Sequence, residues 1–199
     1  KTAIVTGAAN GIGLAVARHF TECGANVMHA DMDEASLLKE LGPGTGDAGQ
    51  KYFAGDLREK LTIANLISAT LDAYDRIDIL VNASRQVLAS DFFDPEDKSV
   101  EISLEQNVLT SLRLSQHVAK RMIKQSEGQN DGQVGAIVNL SSIAARRSTS
   151  SLLGYSISSA ALDQMTRSMA VTLAPKLIRV NGVAIGSVMS ASLQQALKD

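Results

Sequence analysis

The run from Thr2 to Phe20 leaves a folding chain few choices. Ala3, Ile4 and Val5 form a short apolar stretch of the kind buried on both faces of a parallel sheet, and it passes directly into a turn containing Gly7, Gly11 and Gly13. From Gly13 the pattern becomes helical, with Leu14, Ala17, Arg18 and Thr21 on one set of spacings and Ile12, Val16 and Phe20 on another. A helix that begins as a strand ends aims its free N–H groups and the positive end of its dipole at the connecting turn, an arrangement that suits a pyrophosphate. Gly7 then serves the tight turn, Gly11 the close approach of phosphate to backbone, and Gly13 the seating of helix on strand.

The rest of the chain narrows the class. With 199 residues, 45% of them hydrophobic, and three prolines, one α/β core can be buried, so a single domain over 1–199 is expected. A net charge of −2 provides no basic stripe for nucleic acid, and no apolar run is long enough to cross a bilayer. Cys23 is the single cysteine, which removes disulfides and thiolate metal sites and fits a reduced cytoplasmic compartment. His19, His29 and His117 have no second ligand at metal spacing and read as ordinary helix or strand residues.

In chain order, the second strand covers Ala25 to Asp31 and is followed by a helix over Glu34 to Leu41 and a loop from Gly42 to Asp47. Asp31 ends its strand where a carboxylate can accept both ribose hydroxyls of an adenosine and repel a 2′-phosphate, which favours NAD over NADP. The alternative is a cap on the next helix, for which Asp31 and Asp33 are the candidates, but the cofactor role of Asp31 is the leading one. The third strand is Tyr52 to Gly55, with Asp56 and Leu57 after it, and Asp56 could cap the helix over Leu61 to Tyr74. Ile77 to Asn82 is the fourth strand. Asp94, Pro95, Glu96 and Asp97 predict a helix start leading into the long segment through Asn107 and Met122. Gly135 to Ser142 is the fifth strand, Ala160 to Leu173 a helix, and Ile178 to Ala184 the sixth strand.

Thr6-Gly7-x-x-x-Gly11-Ile12-Gly13 differs from the ordinary G-x-G-x-x-G turn and resembles the short-chain dehydrogenase/reductase family, in its classical branch. The resemblance extends along the chain through Asp31, Asp56-Leu57, Asn82-Ala83, Asn107, Ser142 with Tyr155 at the family's spacing, and Gly186. It implies a Rossmann-like doubly wound parallel sheet of order 3-2-1-4-5-6 with helices on both faces, and NAD(H) bound across the carboxyl ends of the first and fourth strands. It also implies a seventh strand and a substrate lobe lying outside this chain. The implied cofactor-binding residues are Gly7, Asn10, Gly11, Ile12, Gly13, Asp31, Asp56, Leu57, Asn82, Ala83, Tyr155, Gly186 and Val188. The implied catalytic residues are Asn107, Ser142 and Tyr155, together with position 159. A small-molecule carbonyl or alcohol would be the substrate, and the helix through Asn107 and the one after Tyr155 would build a homodimer or homotetramer. A structural role for Asn107 stays open, because an Asn in mid-helix needs a satisfied partner.

The chain departs from the family pattern in three places. Tyr-x-x-x-Lys becomes Tyr155-Ser156-Ile157-Ser158-Ser159, and Ala161 stands at the lysine spacing of the enoyl-reductase branch. In the family the lysine anchors the nicotinamide ribose and sets a cation beside the tyrosine, favouring the phenolate. An unassisted phenol is ionised in only about one molecule in a thousand at neutral pH, so alcohol oxidation should suffer more than carbonyl reduction. Arg146 and Arg147 could replace the charge or belong to a solvated loop. In place of Asn-Asn-Ala-Gly the chain has Val81-Asn82-Ala83-Ser84-Arg85, with one Asn missing or replaced and two alignments open that differ by one residue. Arg85 reads as a solvated loop arginine or as a contact to phosphates or an acidic substrate. Pro-Gly-x-x-x-Thr becomes Ile185-Gly186-Ser187-Val188-Met189-Ser190. Two functions from different classes therefore stand: an NAD(H)-dependent oxidoreductase, or a catalytically impaired NAD(H)-binding relative acting as a sensor or partner subunit.

Overall fold

The computed structural model describes residues 1–42, 49–127 and 132–188, so most of the loop after Gly42, and Met189 and Ser190 of the last motif, lie outside the described residues. Six strands, β1 (Thr2–Thr6), β2 (Asn26–Asp31), β3 (Gln50–Ala54), β4 (Ile79–Asn82), β5 (Gly135–Ser142) and β6 (Ile178–Ile185), form one sheet. Its order is β3-β2-β1-β4-β5-β6, every pairing being parallel, as the sequence led us to expect. Between the strands run α1 (Gly11–Glu22), α2 (Glu34–Leu41), α3 (Lys60–Tyr74), α4 (Ser99–Leu104), α5 (Thr110–Gln125) and α6 (Leu153–Leu173).

Neighbouring residues on a strand face opposite sides, and here both sides are covered. Ile4, Met28, Leu80 and Ile137 belong to one core cluster, with Leu66 of α3 and Leu114 of α5. Val5, Val27 and Val81 point the other way and pack with Ala17 of α1. The central strands therefore read as continuous apolar runs, and β1 sits in the middle because each of its five residues is buried. Order reverses beside β1, where β2 leaves to one side and β4 to the other. A crevice opens there at the carboxyl ends of the strands.

Several boundaries move from their sequence expectations. α1 begins at Gly11, inside the glycine turn, and α6 begins at Leu153, so Tyr155 and Ser159 lie on one continuous helix. The acids at 94–97 do not open a helix. Asp94 accepts from Glu96 N–H at 2.9 Å and Asp97 from Ser99 N–H at 2.5 Å, making local turns that delay α4 to Ser99. β4 begins at Ile79 rather than Ile77, because Ile77 exchanges hydrogen bonds with the Gln125 side chain. The buried Asp78 accepts from Thr2 N–H at 2.8 Å and from Arg76, which tethers the start of β1 to the entry of β4.

His29 is fully buried on β2, and neither ring nitrogen has a hydrogen-bond partner among the described residues. Burial pushes its pKa below the ordinary histidine value, with Glu40 opposing and Arg18 reinforcing the shift. A depressed value means that the unfolded chain binds the proton more readily, so the contribution of His29 to stability is present above about pH 6.5 and is lost as the pH falls. Thermal or urea unfolding followed from pH 7 to 5 should show a decline of up to about 1.4 kcal/mol per pH unit, and His29→Leu should flatten it. An unchanged slope in the variant would assign the acid sensitivity to other groups.

Candidate functional site

The site is built from the end of β1 outward. Beyond Thr6 the chain turns at Gly7, with φ 65°, and enters α1. A Cβ on Gly13 would stand 2.1 Å from the Gly7 carbonyl oxygen, and one on Gly7 would stand 2.9 Å from Ser84 Cα. Both obstacles are backbone and cannot step aside, so glycine is enforced at 7 and 13 by close approach. Gly11, with φ 56°, has nothing within 4 Å of its Cβ direction and borders open space. Asn10 caps α1 without a side-chain hydrogen bond, so its amide does not cover the first-turn N–H groups.

That open space is a cavity of about 560 Å³. At one end its wall carries Gly7, Asn10, Gly11, Ile12, Gly13 and Asp31, and at the other Ala83, Arg85, Tyr155, Gly186 and Val188. A small annexe of about 20 Å³ is lined by Asp56 and Leu57 together with Gly7 and Asp31. Four expected residues, Asn82, Asn107, Ser142 and Ser159, are buried behind this wall rather than lining it.

Asp31 accepts from Ala9 N–H at 3.0 Å through one oxygen and from Asp33 N–H at 3.1 Å through the other, which joins the tip of β2 to the glycine turn. The cap of α2 is Asp33, which accepts from Ser36 N–H at 3.0 Å. Asp56 accepts from Arg58 N–H at 3.0 Å and from the Arg58 guanidinium at 2.5 Å, and this pairing holds the carboxyl below the usual carboxylate range. It does not cap α3, whose first turn follows Glu59.

The buried polar residues hold the loops around the cavity. Asn82 donates to Asn139 Oδ1 at 2.8 Å and to Ser115 Oγ at 3.0 Å, and Asn139 donates to Thr166 Oγ1 at 2.9 Å, so β4, β5, α5 and α6 share one network. Between α4 and α5 the helix widens by one residue over Glu105–Leu109, and Thr110 N–H reaches back to the Glu105 carbonyl. This turn carries Asn107 inward. Its Oδ1 accepts from Gln86 N–H at 2.8 Å, and its Nδ2 donates to the Gln86 carbonyl at 3.0 Å and to Ser158 Oγ at 3.2 Å. Thr6 Oγ1 accepts from Ala83 and Ser84 N–H, each at 3.0 Å, and Gln106 donates to Ser84 Oγ at 3.1 Å. The sequence carried no expectation for the Thr6 hydroxyl or for Gln106, since their partners are distant in the chain.

Ser142 ends β5, and its Oγ accepts from Ala144 N–H at 3.1 Å. Tyr155 lies in the first turn of α6, mostly buried but bordering the cavity. Arg146 is exposed, 4.0 Å from Asp163, and Arg147 is exposed as well, in keeping with a solvated loop. Arg85 is not a solvated loop residue. Its guanidinium turns inward, donating from one terminal nitrogen to the Leu140 carbonyl at 2.6 Å and from the other to Ser159 Oγ at 2.8 Å. Its central carbon lies 4.8 Å from the centroid of the Tyr155 ring. Burial pushes its pKa below the ordinary arginine value, with attraction from Tyr155 and Asp163 in opposition, and a guanidinium still stays charged at neutral pH. The available signal was a pair of departures from one pattern: a cation gained at 85 and one lost at 159.

A parallel doubly wound sheet with a glycine-lined crevice at its switch point is a dinucleotide-binding architecture. The family model described as short chain dehydrogenase matches residues 1–199, and the chain belongs to that family. An uncharacterized oxidoreductase of Thermotoga maritima is 31% identical over 204 aligned residues, covering 100% of this chain and 76% of the relative. The 7alpha-hydroxysteroid dehydrogenase of Escherichia coli is 31% identical over 199 residues, covering 99% and 74%. A crystal structure of a short-chain dehydrogenase from Streptomyces avermitilis superimposes with a TM-score of 0.84 at 25% identity, over 96% of this chain and 68% of that one. The chain is thus an oxidoreductase of the short-chain dehydrogenase/reductase family.

Two substitutions test the construction of the site. Gly13→Ala should lower the melting temperature and widen the turn, since a methyl must displace the Gly7 carbonyl. Asn107→Ala leaves the backbone groups of Gln86 without their partner and should cost about 2–4 kcal/mol in urea unfolding. A loss below about 0.5 kcal/mol would mean that water replaces the amide there.

Proposed function

We propose that the chain is an NAD(H)-dependent oxidoreductase interconverting a small-molecule carbonyl and alcohol, with residues 1–199 as one dinucleotide-binding and catalytic domain. The observation that carries this reading is that Tyr155 borders the same cavity as the glycine turn and Asp31. The turn fits a pyrophosphate, because side chains are excluded at Gly7 and Gly13 and the space beside Gly11 is open. When bound, NADH supplies the hydride. Tyr155 gives its proton to the carbonyl oxygen, and Ser142, behind the cavity wall with its Oγ accepting from Ala144 N–H, supports it from the end of β5. Asn107 supports both through the loop that it clamps and through Ser158, which donates to the Tyr155 carbonyl at 3.1 Å.

Asp31 favours NAD over NADP. Its backbone donors leave each carboxylate oxygen able to accept from a ribose hydroxyl, and its charge opposes a 2′-phosphate. Arg58 lines the same end of the cavity, but Asp56 engages its guanidinium. Asp56 and Leu57 in the annexe would hold the adenine, and Ala83, Gly186 and Val188 would line the nicotinamide end. We place a homodimer or homotetramer contact on α5 and α6, which frame an apolar groove of about 480 Å³ between Leu112, Ile123, Met165 and Leu173. A cytoplasmic setting agrees with the single exposed thiol of Cys23, and no described helix is long and apolar enough to cross a membrane.

Titration of NADH by its fluorescence should give saturable binding, with no tryptophan in the chain to interfere. Tyr155→Phe should keep that binding while losing about 10²- to 10⁴-fold in carbonyl reduction. Failure of intact, folded protein to bind NADH would sink the proposal. In a separate measurement, Asp31→Ala should weaken NADH by about tenfold and narrow the gap to NADPH, as loss of a charge-assisted hydrogen bond predicts.

A further inference from the structure

We propose that Arg85 is the positioning cation of this site: from the loop after β4 it takes the place beside Tyr155 that a lysine at 159 would fill from α6. The inference rests on the function proposed above and identifies how that function survives with serine at 159. Ser159 has no exposed surface, and its Oγ is the acceptor for the Arg85 guanidinium at 2.8 Å. A lysine at 159 would have to enter the volume that the guanidinium already occupies. The two departures from the family pattern are therefore one change seen from two sides: the charge has moved from α6 to the neighbouring loop, and a small hydroxyl replaces the long side chain that would collide with it.

Three features suit Arg85 to this work. Its loop is held at Ala83 and Ser84 by Thr6, at Ser84 by Gln106 and at Gln86 by both ends of the Asn107 amide, so the backbone on either side of the arginine is tied down. Its planar fork reaches the Leu140 carbonyl and Ser159 Oγ together, which a single ammonium could not match in the same geometry. No carboxylate forms a contact ion pair with it among the described residues, and Asp163 acts on it only from a distance.

The charge acts through Tyr155. The guanidinium lies 4.8 Å from the ring centroid, inside the range of a cation–π contact, and this holds the ring in place before reaction. As the hydroxyl proton passes to the substrate oxygen, the phenolate left on Tyr155 forms next to a cation that needs no reorganisation to meet it. Of the five guanidinium N–H groups, Nη1 and Nη2 each make one bond, and Nε is buried without a partner. Arg85 also borders the cavity, so the remaining donors can serve a hydroxyl of the bound nucleotide.

The test is a charge-relocation cycle of wild type, Arg85→Gly, Ser159→Lys and the double variant. Melting temperature, NADH affinity by fluorescence, and reduction of phenanthrenequinone by NADH are read for each. Arg85→Gly should lose about tenfold or more in turnover. Ser159→Lys alone should also lose activity and melt at lower temperature, because it sets an ammonium against the buried guanidinium. The double variant should recover to within about threefold of wild type in turnover and NADH affinity, since the lysine then has both the space and the task. A purely structural arginine would give losses that a lysine on α6 does not repair. The proposal is overturned if Ser159→Lys alone matches or exceeds wild type, or if the double variant is as poor as the two single defects combined. In either case, NADH binding by wild type and the Tyr155→Phe defect would leave the oxidoreductase reading standing. If wild type binds no NADH, that reading falls and the role of Arg85 falls with it. If wild type binds NADH but leaves phenanthrenequinone unreduced, the cycle in NADH affinity and melting temperature decides by the same criterion.

Discussion

The seating of the first turn of α1 on the Gly7 carbonyl is the contact on which the rest of this molecule depends. With a Cβ direction at Gly13 pointing to an oxygen 2.1 Å away, there is room for a hydrogen and nothing larger. The same turn meets the backbone after β4 at Gly7, where the clearance to Ser84 is 2.9 Å. These two backbone contacts bring β1, α1 and the 83–84 loop to one point. Because no side chain intervenes, the crevice between β1 and β4 has a backbone floor, and N–H groups and helix dipole face it directly. Asp31 completes the arrangement by accepting from Ala9 N–H, so the tip of β2 is tied to the same turn.

Around that floor, buried polar side chains do the positioning that hydrophobic packing does elsewhere in the sheet. Asn107 satisfies both backbone groups of Gln86 and can do so only because the helix gains one residue over Glu105–Leu109. Thr6 and Gln106 hold the preceding residues, and the Asn82, Asn139 and Thr166 network joins the strand ends to the helices behind them. In a low-dielectric interior such bonds specify geometry closely, because each one left unmade carries a full desolvation penalty. The loop from Ala83 to Gln86 is thus held by side-chain hydrogen bonds, although it has no ladder of its own.

Much of the fold was legible from local patterns. Apolar runs located the six strands to within two residues at most ends, because parallel strands buried on both faces need no alternation, and β5 and α2 fell at the expected limits. The errors share a cause. At 94–97 the acids that ordinarily cap a helix bond to nearby backbone and form turns, and at 77 the Gln125 side chain takes the backbone groups that a strand would have used. α6 extends back through Tyr155 because its first turn packs against α4, where a Cβ on Gly154 would come within 2.6 Å of the Ser99 carbonyl. That contact has no local signature.

By itself, the sequence determined the order of elements, the glycine turn, the acid at the tip of β2 and the spacing of Ser142 and Tyr155, since each is written in residues close together in the chain. It also showed a cation missing at 159 and an arginine at 85, but as two unrelated departures. Only the tertiary structure joined them, across 74 residues, into a hydrogen bond between the Arg85 guanidinium and Ser159 with the Tyr155 ring beneath. The physical reason is that periodicity and propensity describe how a chain treats its near neighbours. Which side chain fills a space vacated on another element depends on the path of the backbone through the whole sheet, and here on the clamps at Thr6, Gln106 and Asn107 that turn Arg85 inward.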